Sequence, residues 1–187
     1  MKKLIALSCA VCSTISLTGC FTSVPADSQI ATFEKIIPYV NGTEFNHKEV
    51  SVTSMTLNDT NIVYEEVKYY SDNVEHSVIT AMYDGELTSY IEYYAITEDG
   101  FKTSYTKNND VWDKTVSVFV ESDPLNLEFN DFNFLAGIFS LNLTKIQETG
   151  IIMLIDTNQE VVSMTVLGTV IELSQFGNVT ISLPNFE

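Results

Sequence analysis

Cys20 is the residue whose surroundings in the sequence best suit a chemical role. It follows two small residues, Thr18 and Gly19, and an uncharged stretch at residues 4–17 that begins after a short basic segment. That stretch is too short for a hydrocarbon core of ~30 Å, which needs about 20 residues, but it suits the apolar part of a secretion signal. The cysteine thiol is the one strongly nucleophilic side chain at this place, so we expect it to be modified.

Leu17-Thr18-Gly19-Cys20 resembles the lipobox of bacterial lipoproteins, in which small residues let a signal peptidase reach the bond before the cysteine. The resemblance implies that Cys20 receives a diacylglyceryl group as a thioether and becomes the mature N-terminus. Two acyl chains, at ~0.8 kcal/mol per buried methylene, hold a protein on a membrane stably. The membrane is therefore the expected partner, through the lipid on Cys20.

The sequence accordingly divides into three parts. We predict a signal peptide at residues 1–19, a lipidated cysteine with a polar tether at residues 20–27, and a single extracytoplasmic β-rich domain at residues 28–187. The expected location is the extracytoplasmic face of the cell membrane. In a cell with two membranes, the absence of aspartate at position 21 resembles outer-membrane sorting.

The charge of the chain is strongly one-sided. Nine lysines stand against 25 aspartates and glutamates, for a formal net charge of −16. Such a surface repels nucleic acid and anionic lipid, so we expect no nucleic-acid partner. Of the three cysteines, Cys9 and Cys12 leave with the signal and Cys20 is capped, so no disulfide is expected.

No arrangement of residues in the sequence indicates catalysis or a metal site. His47 and His76 are the two histidines, neither has another histidine or a cysteine at ligand spacing, and we expect both on the surface. Asp156-x-Asn158-x-Glu160 echoes a calcium loop but lacks the glycine of its sharp turn, and this pattern favours a hairpin turn. No Gly-x-Ser-x-Gly elbow occurs in the sequence. We predict no enzymatic activity, no metal and no cofactor.

The elements that would position any site are mostly strands. From residue 50 onward, valine, threonine and tyrosine dominate, and turn signals recur every ~10–15 residues. Asp84-Gly85 is the strongest of these signals, because glycine accepts the positive φ of a tight hairpin turn. Strands are predicted at residues 50–57 (with a bulge near Ser54), 62–70, 76–83, 87–96, 101–107, 111–120, 151–155, 161–168, 170–173 and 179–183.

Two segments have the apolar spacing of helices. The first covers residues 28–37, and Pro38 is expected to end it. The second covers residues 131–150, with one largely aromatic side and Gly150 as its stop. The aromatic side of the second consists of Phe132, Leu135, Ala136, Phe139, Leu143 and Ile146.

Strands joined by short loops, with too few helices to cover both sides, indicate one antiparallel sheet. We predict a mainly β (α+β) fold, in which a curved antiparallel sheet or half-barrel has one or two helices packed in its concavity.

From about Phe101 to Pro184 the order of features is similar to the LolA/LprG-like lipoproteins. The similarity rests on DVWDKTV, on the hairpin IIMLIDTNQEVVSMTV with an aspartate at the start of its loop, and on the ending IELSQFGNVTISLP. The long first helix usual in that family is much shorter here. The resemblance implies a half-barrel that holds acyl chains, and no enzymatic activity.

One group of apolar side chains is the candidate binding site. Methionine and aromatic side chains line adaptable apolar pockets, although the same residues would otherwise form the core. A ligand would lie between the aromatic helix and the concave side of the sheet. The candidates for contact with a hydrophobic ligand are Phe132, Leu135, Phe139, Met153, Met164 and Val166.

Two functions agree with these features. The first is a membrane-anchored extracytoplasmic lipoprotein that binds or carries a lipid or another hydrophobic ligand. The alternative is a surface interaction or sensing domain with a solid core, whose sheet or acidic face meets a partner protein or glycan. A cavity of ~300–1,000 Å³ open to solvent would favour the first, and a packed core would favour the second.

Overall fold

The computed structural model describes residues 23–120 and 123–186, so Cys20 and the predicted signal peptide lie outside the described residues. The strands are β1 (Asn46–Leu57), β2 (Thr60–Ser71), β3 (Val74–Tyr83), β4 (Glu86–Glu98), β5 (Phe101–Asn108), β6 (Val111–Val118), β7 (Phe132–Leu135), β8 (Ile138–Leu141), β9 (Ile152–Asp156), β10 (Val161–Val166) and β11 (Thr169–Ser174). The helices are α1 (Asp27–Val40) and α2 (Leu143–Thr149), with a 3₁₀ turn at Phe129–Asp131.

The described strands form one open antiparallel sheet of eleven strands. Their spatial order is β6-β5-β4-β3-β2-β1-β11-β10-β9-β8-β7. The chain therefore builds one half of the sheet as a meander, β1–β6, and the other half as a second meander, β7–β11. Pairing of β1 with β11 joins the two halves. The prediction of a mainly β fold, an antiparallel sheet with one or two helices packed on it, is confirmed, and the described helices are two short ones.

The strongest predicted turn is confirmed, and the predicted bulge is wrong. Asp84 and Gly85 have φ of 51° and 87°, as a two-residue hairpin turn between β3 and β4 requires. No bulge occurs near Ser54, because β1 and β2 pair without a break along the whole of β1. The valines and the Met–Leu pair that suggested it alternate between the two faces of a regular strand. A register shift lies instead between Ala81 and Met82, where β3 pairs with β4.

The first helix is longer than the sequence predicted, because it continues through Pro38 to Val40. A proline this close to the end of a helix removes one intrahelical hydrogen bond without breaking the rest. Its own carbonyl accepts the backbone N–H of Thr43 at 2.9 Å. Phe33, Ile36 and Val40 recur at three- and four-residue spacing and are the buried side of α1.

The predicted helix over residues 131–150 is wrong for most of its length. Residues 132–141 form the β7–β8 hairpin, and only Leu143–Thr149 is helical. Ala136 and Gly137 make the hairpin turn with φ of 51° and 90°, values that a helix does not contain. The inward-facing residues alternate with the period of a strand, and they are Phe132, Phe134, Phe139 and Leu141.

The last predicted strand, residues 179–183, is also wrong. The backbone of Val179 pairs with the side chain of Asn46 at the start of β1. Its N–H donates to Asn46 Oδ1 at 2.8 Å, and its carbonyl accepts from Asn46 Nδ2 at 3.1 Å. A side-chain amide supplies one acceptor and two donors, so it satisfies this backbone without a strand ladder.

The two faces of the sheet differ in what covers them. The face toward α1, which we call the helix face, carries Phe139, Ile155, Val162 and Leu173 as successive cross-strand neighbours. With the buried side of α1 these residues form the hydrophobic core, whose strand members all come from β7–β11. The core therefore lies over one half of the sheet. The opposite side is the outer face.

Strands β6 and β7 lie at opposite edges of the sheet, and the described residues 123–131 precede β7. This segment is held to the end of α1 by Asn41, whose Nδ2 donates to the carbonyl of Leu127 at 3.0 Å. Asn41 Oδ1 accepts the N–H of Leu127 at 2.9 Å. Leu127 is buried in the core, so this connection is part of the packed structure.

Candidate functional site

The structure brings some of the predicted ligand-contacting residues together, but within the packed core. Phe139 and Met153 are each 1% exposed and belong to the core beneath α1. Phe132 packs edge-on against Phe33 of α1, with ring centroids 5.2 Å apart. These three side chains therefore contact α1 or its neighbours in the place where a ligand was expected.

The other three candidates are not buried in the core, although Met164 packs against it beside Met153. Leu135 is at the end of β7, points to the outer face with its partner Ile138, and is 45% exposed. Met164 and Val166 are half-buried on the helix face of β10. The six residues thus lie in three environments, namely the core, the half-buried part of the helix face and the exposed outer face.

An open trough of mixed apolar and hydroxyl side chains lies on the helix face of β1–β4, beyond the region covered by α1. It contains a depression of about 530 Å³ lined by Tyr64, Ala81, Tyr83, Thr88 and Ser89. Ala81 is buried at its base, while Tyr64 and Tyr83 are 39% and 40% exposed at its sides. We call the helix-face residues of this region the open trough, namely Met55, Ile62, Tyr64, Ala81, Tyr83 and Ser89.

Strand pairing explains how the open trough forms. Tyr64 and Ser89 flank Ala81 as its direct cross-strand partners on β2 and β4. An alanine between larger side chains leaves a hollow in the sheet surface. Tyr83 pairs with Ile62, the helix-face residue before Tyr64 on β2, so both tyrosine rings lie at the sides of this hollow. The trough can accept an apolar group without any change in the core.

A hydrogen-bonded polar network adjoins the open trough on the same face. Lys68 contacts Glu66 at 3.2 Å and Glu49 at 3.8 Å, and Ser77 donates to Glu66 at 3.0 Å. Glu75 accepts hydrogen bonds from Tyr93 and, at 2.8 Å, from Lys102. We call this set the polar network, namely Glu49, Glu66, Lys68, Glu75, Ser77, Tyr93 and Lys102.

Burial and neighbouring charges shift the pKa values of the polar network. Burial raises the pKa of Glu49, aided by other carboxylates and opposed by Lys68. Burial lowers the pKa of Lys68, but the adjacent carboxylates raise it by more, so that pKa is raised overall. Burial and the hydrogen bond to Glu75 raise the pKa of Tyr93. The lysine is therefore firmly charged and the tyrosine firmly neutral at neutral pH.

The expectation that both histidines lie on the surface is wrong for His47, which is 5% exposed. Its ring stacks on Tyr70 at 4.9 Å and lies against Tyr39 and Phe176. Burial lowers its pKa to about 4, and its Nδ1 has no hydrogen-bond partner. His76 is half-buried on the outer face, with Nε2 3.1 Å from Glu92. His47 is an isolated histidine in the sequence, and no pattern of neighbouring residues indicates that its side chain is buried.

An aromatic group on the outer face was not found from the sequence. The ring of Phe186 stacks on Tyr105, with centroids 3.8 Å apart, and packs edge-on against Trp112 and Tyr94. Phe186 belongs to a segment without strand or helix periodicity, so no pattern predicted its contact with β4–β6. This group holds the C-terminal segment on the outer face.

The Asp156–Glu160 region is a hairpin turn, as predicted. Asp156 Oδ1 accepts the backbone N–H groups of Asn158 and Gln159, at 2.9 and 3.2 Å, which is the pattern of a capped turn. Among the residues that the structure describes, no group of three or more histidine, cysteine or acidic side chains is placed to hold a metal ion. None of the described helices has the length and apolar character needed to cross a membrane.

Scans with protein-family models and searches of curated proteins and solved structures return no match to this chain. The features of this chain that bear on its function are the open trough, the polar network and the signal-like N-terminus.

Proposed function

We propose that this protein is a membrane-anchored extracytoplasmic lipoprotein that binds an elongated hydrophobic ligand in the open trough. The observation that carries the proposal is the depression of about 530 Å³ on the helix face, open to solvent and lined by two tyrosines, an alanine, a threonine and a serine. This volume lies within the ~300–1,000 Å³ usual for ligand sites. The ligand site that we propose is therefore on β2–β4, and not beside Phe139 and Met153, as the sequence had indicated.

Two further observations support the open trough over the core. Met55, Leu57, Tyr64 and Tyr83 expose apolar surface around the depression. Burial of that surface by a ligand contributes about 25 cal/mol per Å². Val166, one of the residues expected to contact a ligand, lies half-buried on the same face near the end of β10.

Filling the depression tests the proposal. Ser89 is exposed at its side, so we expect Ser89→Trp to occupy the space and to weaken binding of the uncharged dye Nile red at least ~10-fold. The matched control is Ser163→Trp, an exposed strand serine on the outer face, which should leave binding unchanged. Binding would be followed by dye fluorescence on the Cys20→Ser protein. Equal Nile red affinity in both variants, or no binding by the parent protein, would contradict the proposal.

A second candidate function, a surface interaction domain, is favoured by the edge of the sheet. β6 is an edge strand whose Val116 and Val118 are exposed beside Phe101 of β5. Exposed apolar surface on an edge strand is suited to contact with another protein. Under this function Val118→Lys, and not Ser89→Trp, would abolish recovery of a cross-linked partner from the cell surface.

A further inference from the structure

The polar network continues the open trough along the same strands. On β2, Tyr64, Glu66 and Lys68 are successive residues of the helix face, and on β3 Ala81 is followed toward the network by Ile79 and Ser77. Same-face neighbours on a strand are about 7 Å apart, so the distance from Tyr83 to Ser77 is about 20 Å. One face thus changes from apolar to charged over the length of a long acyl chain.

The polar network contains more negatively charged than positively charged side chains. Glu49, Glu66 and Glu75 supply three carboxylates, and Lys68 and Lys102 supply two ammonium groups. Both lysines already contact carboxylates, and Glu49 and Glu66 share Lys68. The charged side chains of the network are only 13–32% exposed, so charges here are less screened than on an open surface.

We infer that the ligand is a single-chain amphiphile with a positively charged head, whose chain lies in the open trough and whose head contacts Glu66 and Glu49. This inference rests on the proposed function and adds the class of ligand. A cationic head gives Glu49 and Glu66 a second positive neighbour. An anionic head at the same place meets two carboxylates that share one lysine, within a protein of net charge −16. Like charges held this close repel strongly.

Amphiphiles with one chain length and three heads test the inference. Dodecyltrimethylammonium, dodecyl maltoside and dodecyl sulfate would compete against Nile red, each below its micelle concentration. We expect the cationic compound to bind at least ~10-fold more tightly than the anionic one, with the neutral compound between them. The preference should shrink in high salt, because added ions screen the head.

Adjacent glutamates on opposite faces provide the matched variants. Glu66 lies on the helix face in the network and Glu65 on the outer face. Glu66→Gln should cut the preference for the cationic compound over the neutral one by about threefold or more. Glu65→Gln should leave it unchanged, and Glu66→Asp should restore most of it. Thermal unfolding of each variant checks that the fold is kept.

The outcomes separate the two proposals. Equal binding of the three compounds, or a preference that Glu66→Gln does not reduce, overturns the cationic head while the hydrophobic ligand site stands. Binding of Nile red but of none of the three compounds overturns the inference alone, and failure to bind Nile red as well overturns both. Tighter binding of dodecyl sulfate also overturns the inference, and it would point to an anionic amphiphile.

Discussion

His47 holds a proton less readily in the folded protein than in the unfolded chain, because burial lowers its pKa from 6.5 to about 4. Between those values the unfolded state binds more protons, so the free energy of unfolding falls as the pH drops. Above pH 6.5 His47 costs nothing, and the full loss below its folded pKa is about 3 kcal/mol. Glu49 has the opposite effect, because its raised pKa makes the folded protein the better proton acceptor.

Replacement of His47 by phenylalanine isolates this contribution. We expect His47→Phe to keep the stacking on Tyr70 and to flatten the decline in stability between pH 6.5 and about 4. Urea unfolding at several pH values measures it, with His76→Phe as the second-histidine control. Parallel stability curves for the parent and His47→Phe would show that His47 does not titrate in this way.

Phe139 and Leu135 are two apolar residues of one hairpin with opposite environments. Phe139 is 1% exposed in the core, so Phe139→Ala should lower the free energy of unfolding by ~3–5 kcal/mol, as large-to-small core changes do. Leu135 is 45% exposed, and Leu135→Ala should cost less than ~1 kcal/mol. Denaturant unfolding measures both. A stable Phe139→Ala protein with altered Nile red binding would return the ligand site to the core.

At the scale of the element, the β7–β8 turn is packed against the β9–β10 loop. Gly137 has φ of +90°, and a Cβ there would lie 2.1 Å from Asn158 Nδ2. Gly85 has φ of +87° with nothing within 4 Å of its Cβ position. We expect Gly85→Ala to cost backbone strain alone, ~1 kcal/mol, and Gly137→Ala to cost more, because the Asn158 amide must also move.

A double-mutant cycle tests that contact. In an Asn158→Ala background the cost of Gly137→Ala should fall to that of Gly85→Ala, when each is measured by chemical unfolding. Additive costs for Gly137→Ala and Asn158→Ala would mean that the turn and the loop do not interact through this amide.

The β7–β8 hairpin also shows why the sequence wrongly predicted a helix over residues 131–150. Phe132, Leu135 and Phe139 are spaced as in a helix, although they lie in two strands whose side chains alternate with a period of two. The two-residue turn between those strands produces the intervals of three and four residues. The dipeptide Ala136-Gly137 is a weak turn signal beside Asp84-Gly85, since alanine seldom adopts positive φ. Strong turn signals and β-rich composition identified most of β1–β6 and β9–β11. The β7–β8 hairpin differs from a helix only through its tertiary contacts, which the local sequence does not indicate.

At the scale of the whole molecule, the open trough could not be predicted from the sequence. Tyr64, Ala81 and Ser89 meet because β2, β3 and β4 pair in one register, and a shift of one residue would turn each strand over. The predicted candidates were the apolar residues with the clearest periodicity, and clear periodicity is the signal of a core. Phe139 and Met153 are indeed in that core.

Anchoring is also a property of the whole molecule. If Cys20 carries the lipid, Cys20→Ser should release the protein from membranes or leave its precursor uncut. Intact-mass measurement of membrane-extracted protein checks the parent, which should lack Met1 and carry acyl mass on Cys20. An unmodified Cys20, or retention of Met1, would contradict the lipoprotein assignment.

The packing of α1 on β7–β11 has a consequence for the order of folding. α1 is made first, yet the strands that bury Phe33 and Ile36 are made last. The β1–β6 meander contains only neighbouring hairpins and can form as the chain emerges, whereas α1 must wait for Leu173 and the β1–β11 seam. A chain that emerges from its N-terminus thus exposes the apolar side of α1 until its synthesis is nearly complete. Apolar surface exposed for that long makes the incomplete chain prone to aggregation.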